Sequence, residues 1–195
     1  MDLSPRAQER LARIGALSPE EQQRLQQERD LEGVLSPYFT GAATTEDLWQ
    51  QVKSLTASAG PGIVRQAQER LLATFRLQMS QEDFERRKAA LLALETLKKA
   101  GKYSAIELLL GSIVSLRQRY EEVKQQALAQ VREQMDGQLR AAAEQARRQG
   151  VLVDTASTIE ASLKASPEWR DFITRHDASA QKTLDDYIAR VKALL

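Results

Sequence analysis

The chain contains no cysteine and, in 195 residues, a single histidine, His176. Without thiols there is no disulfide framework, no thiolate nucleophile and no cysteine-ligated metal, and the absence fits a reducing, cytoplasmic setting. One imidazole excludes zinc sites built on several nitrogen ligands. It also excludes the di-iron bundle signature, which needs Glu-x-x-His on each of two helices. No GxxxxGK[ST] or GxGxxG phosphate-binding stretch occurs. The carboxylate pairs Glu121-Glu122 and Asp185-Asp186 are adjacent in sequence, so on a helix their members point in different directions. Neither metal nor cofactor is expected, and no enzymatic activity. His176 falls on an apolar helical stripe, where a histidine is a packed residue rather than a catalyst.

Long apolar runs are absent too. No stretch approaches the roughly 20 apolar residues of a membrane span, and Met1 to Leu17 alternates Arg and Glu with isolated leucines, unlike a signal peptide. Aromatic residues make up only 5% of the chain and valine and isoleucine are sparse. What replaces them is glutamine, alanine, arginine, glutamate and leucine, a balance that favours helix over strand. The five prolines fall at positions 5, 19, 37, 61 and 167, leaving a long interval without that helix breaker. The net charge of +1 supplies no overall field for nucleic acid or anionic lipid. Charge is uneven, however: residues 1–60 carry net −3 and residues 61–103 net +4.

These features predict an all-α protein, an antiparallel helical bundle with a long helical hairpin that forms a coiled-coil-like arm. The organising element is a helix over 104–149, started by a Ser104/Glu107 capping box and followed by Gly150. Apolar residues recur through it in steps of three and four, from Ile106 through Ile113, Tyr120 and Ala127 to Val131, Met135 and Leu139. Ile106 to Leu116 is apolar on a broad face, because Leu108, Leu110 and Val114 join the seam, and is expected in a core. Beyond Arg117 only the narrow seam is apolar, which reads as an arm with one partner helix. The expected partner is a C-terminal helix over 167–194, capped by Ser166-Pro167. Its steps of four from Phe172 to Leu184 match those from Ala127 to Leu139. That match predicts Leu139 beside His176, Met135 beside Ala180 and Val131 beside Leu184, with a short helix near 157–165 at the tip.

The chain is expected to divide into an N-terminal arm or subdomain over 1–60 and a main bundle over 61–195, separated at the Ala57–Gly62 linker ASAGPG. Ser4-Pro5, Ser18-Pro19 with Glu21, and Thr44 with Asp47 mark three helix starts in the N-terminal region. The helix after Ser18 is expected to end at Gly33, and Gly33–Gly41 to form an apolar clip around Tyr38 and Phe39. In the main bundle a pair of helices is expected between Ile63 and Gly101, with a tight junction at Ser80.

The function this predicts is a non-enzymatic helical interaction, scaffold or assembly protein acting through the long hairpin and self-associating as a homodimer. The candidate partner-binding residues are Tyr38, Phe39, Val131, Met135 and Leu139. The alternative is a nucleic-acid-associated accessory protein using a basic turn at 98–102, with Arg86, Arg87, Lys88, Lys98, Lys99 and Lys102 as the patch. A holdase-type chaperone shares the same shape.

Overall fold

A computed structural model describes residues 18–148 and 166–195; within 135–148 it describes exposure only at Gly137, Gln145 and Arg148. The protein is an all-α helical bundle, with six helices and no strand among the described residues. They are α1 (Pro19–Phe39), α2 (Thr45–Ala59), α3 (Gly62–Leu72), α4 (Gln81–Glu95), α5 (Tyr103–Arg148) and α6 (Pro167–Leu194). No described helix is long and apolar enough to cross a membrane. The expected helices at 2–16 and 157–165 and the Gly150 cap lie outside the described residues.

The chain divides into two compact units, Met1–Ala73 with Glu85–Gly101 and Thr74–Phe84 with Lys102–Leu195. The expected boundary at residue 60 is therefore corrected. The turn at Gly60 lies inside the first unit, because Leu48 and Val52 of α2 and Ile63, Val64 and Ala67 of α3 belong to one buried cluster.

In the first unit the helix starts follow the caps. Ser18 Oγ accepts from Glu21 N at 3.2 Å while Ser18 N donates to Glu21 Oε2 at 2.8 Å. Thr44 and Asp47 make the same reciprocal bonds at the start of α2. Helix α1 does not end at Gly33; it runs to Phe39. Leu31, Leu35 and Tyr38 are fully buried, and their spacing of four and three holds the helix against the core through the glycine. Pro37 lacks the N–H that would bond Gly33, and the helix stops two residues later. The chain then turns at Gly41, whose φ of +82° a residue with a side chain rarely adopts. One buried polar group links α3 to α4: Gln68 Nε2 donates to Leu91 O at 3.2 Å and to Glu95 Oε2 at 2.8 Å. Lys98 Nζ meets the same carboxylate oxygen at 2.8 Å.

The junction at Ser80 is not tight. Helix α3 ends at Leu72 and residues 73–80 form turns before Ser80 caps α4, its Oγ accepting from Asp83 N at 3.0 Å. Phe75 and Leu77 are buried within this non-helical stretch, so the segment expected to continue the helix to Ser80 is buried without being helical.

In the second unit α5 is continuous for 46 residues through Gly137, about 69 Å at 1.5 Å per residue. It begins one residue before the expected cap: Ile106 N bonds Lys102 O, so Ser104 lies in the first turn. Ser166 caps α6, its Oγ accepting from Trp169 N at 3.1 Å. Helices α5 and α6 pack together, anchored where His176 Nε2 donates to Tyr120 O at 2.9 Å. The buried residues of α5 lie before Tyr120 (Ile106, Leu110, Ile113) and most of those of α6 after His176 (Ala180, Leu184, Val191). Only an antiparallel course sets these stretches against each other. The predicted register is overturned: His176 sits beside Tyr120, not Leu139. Counting outward from the anchor brings Leu116 level with Ala180, and Ile113 and Ile106 each to within a residue of Leu184 and Val191.

Candidate functional site: the surface of the long helix

Tyr120 is where the second unit is pinned. Its ring stacks on His176 at 4.8 Å with an interplanar angle of 1°, and His176 stacks on Phe172 at 5.3 Å. The phenol donates to Asp177 Oδ1 at 2.8 Å and accepts from Gln78 Nε2 at 3.2 Å. Since a carbonyl only accepts, the bond to Tyr120 O places a proton on Nε2 of His176. The lone histidine is thus a packed, hydrogen-bonded seam residue. One turn earlier, Arg117 holds the 73–80 stretch. Its Nε donates to Leu77 O at 3.2 Å, its Nη1 to Gln81 Oε1 at 3.2 Å and its Nη2 to Met79 O. The guanidinium lies 4.5 Å from the centroid of the Phe84 ring. Nothing in the sequence marked Arg117 for this role, because its partners are main-chain carbonyls 38 to 40 residues away.

Past Tyr120 the helix changes. From Glu121 onward no described side chain of α5 is buried. Val131 is half-buried and Leu128 is 38% exposed. Met135 and Leu139 are on the same helix, but their side chains lie outside the described residues. The start of α6 is level with about residue 129 of α5, so beyond that point no described residue of α6 accompanies the helix.

The other candidates are drawn inward. Tyr38 has no exposed surface, which corrects its assignment as a partner-binding residue. Its hydroxyl donates to Arg86 O at 2.6 Å and lies 3.3 Å from Thr45 Oγ1. Burial pushes its pKa above the usual tyrosine value, against the opposing pull of Thr45, Arg86 and Arg87. Phe39 is half-buried under Arg87, whose guanidinium is 5.8 Å from the ring centroid.

Four of the six basic-patch residues are likewise engaged within the first unit. Arg86 donates to Phe39 O at 3.2 Å and lies over the Tyr38 ring at 5.2 Å. Arg87 covers Phe39, Lys88 pairs with Glu85 at 3.5 Å, and Lys98 pairs with Glu95. Lys99 and Lys102 are exposed. The cations that look contiguous in sequence therefore serve as covers for the Tyr38–Phe39 corner and as the counter-charge of a buried glutamate.

Each unit carries an open cleft among its described residues. One, about 590 Å3, lies between α1 and α3, where Arg24 is held by Glu28 and Arg70 by Glu32. The other, about 500 Å3, borders Arg117, whose donors are already spent on the 73–80 stretch and Gln81. Among the described residues no three acidic or histidine side chains are grouped to hold a metal ion.

No curated protein and no solved structure matches the chain. A family model does match over residues 49–195, from within α2 to the C-terminus and across the whole α5–α6 pair. The chain belongs to that family, a family of unknown function designated DUF6657.

Proposed function

We propose that the protein is a non-enzymatic helical assembly or scaffold protein that self-associates as a homodimer through the distal part of α5. The observation that supports this is the continuation of α5 for 28 residues beyond Tyr120 with no buried side chain among those described. A helix that long and that polar is marginal alone in water. The seam through Leu128, Val131, Met135 and Leu139 offers one narrow apolar stripe of the kind that a second helix covers. In this reading the α5–α6 pair is the rigid base of a coiled-coil-like hairpin, and the absence of cysteine suits a cytoplasmic setting.

Light scattering on a size-exclusion column, over a concentration series, tests this directly. A doubled mass that reverts to monomer with Leu139→Asp is the expected result. A monomer at every concentration, or a dimer indifferent to Leu139→Asp and Val131→Asp, would remove the distal seam as an interface.

A further inference from the structure

We draw no further inference here: the strongest candidate, the charged edge of distal α5 that carries Arg132 and Asp136 beside the apolar seam, belongs to the surface already proposed for self-association, and most of its side chains lie outside the described residues.

Discussion

Replacing Tyr120 by Phe removes one oxygen and leaves the ring stack with His176, so the perturbation is purely polar. The phenol donates to a carboxylate, Asp177, at 2.8 Å and accepts from Gln78 at 3.2 Å. A hydrogen bond to a charged group contributes about 1.5–3 kcal/mol. Gln78 is exposed and can bond water instead, so its share is a few tenths at most. Asp177 is half-buried and recovers part of its hydration when the phenol leaves. The expected loss is about 2 kcal/mol, or roughly 4–8 °C in Tm for a chain of this size. Urea unfolding followed by fluorescence in a Trp49→Phe background reads the second unit, since Trp169 is then the only indole and stacks on Phe172 beside His176. A double-mutant cycle with Asp177→Ala should give a coupling of about 1.5 kcal/mol. A coupling below about 0.5 kcal/mol, the usual limit of additivity, would refute the claim that Tyr120 and Asp177 pin α5 to α6.

Arg117→Met should destabilise the second unit by about 3 kcal/mol, because the carbonyls of Leu77 and Met79 lose a charged donor; trypsin cleavage after Arg76 in the loosened stretch, read by mass spectrometry, should accelerate, and unchanged cleavage would count against the clamp. Tyr38 binds its proton more tightly in the folded state, since burial raises its pKa. Stability is therefore intact below the usual tyrosine value and falls as pH rises through the raised one; a urea midpoint followed from about pH 9 to about pH 11 should decline in wild type and less in Tyr38→Phe. Asp47 is the opposite case: bonds from the Thr44 N–H and hydroxyl hold its carboxyl below the usual aspartate value. Its contribution is present above that value and is lost as pH falls through the lowered one, so Asp47→Asn should flatten the acid limb of the stability curve, and an unaltered limb would exclude the capping box as its source.

What could be read from the sequence was whatever depends on neighbours in the chain. The caps at Ser18, Thr44, Ser80 and Ser166 join residues three apart, and all four bonds form. The all-helical class followed from composition and from where proline is missing. Periodicity did less well. It carried a helix from Ile63 as far as Ser80, but burial at helical spacing is not helix, and between Ala73 and Ser80 Arg117 supplies the carbonyl bonds that a helix would have satisfied internally. At Gly33 a strong breaker was overruled, because Leu31, Leu35 and Tyr38 on either side all enter the core and tertiary burial outweighs the roughly 1 kcal/mol cost of a helical glycine. The candidate surface was least legible. Tyr38 has the composition of a docking residue, yet its hydroxyl is spent on a carbonyl 48 residues away.

The register of α5 against α6 shows why apolar spacing alone misleads. Both helices carry small or medium apolar residues at steps of three and four over most of their length. Sliding one past the other by whole turns therefore exchanges one set of alanine and leucine contacts for a similar set, and the apolar energy changes little. A polar anchor removes that freedom. His176 needs an acceptor for its Nε2–H and Tyr120 needs a partner for its phenol, and both are met only where His176 and Asp177 lie together at Tyr120. A slip of one turn would leave the phenol, the imidazole and the carboxylate half-buried without these bonds, each at a cost of about 1–3 kcal/mol. The same reasoning applies to Leu108, expected in the core yet 73% exposed: apolar spacing cannot separate the core side of α5 from the side that carries it. The separation comes from which face holds Tyr120 and Arg117, and those two residues turn Leu108 towards solvent.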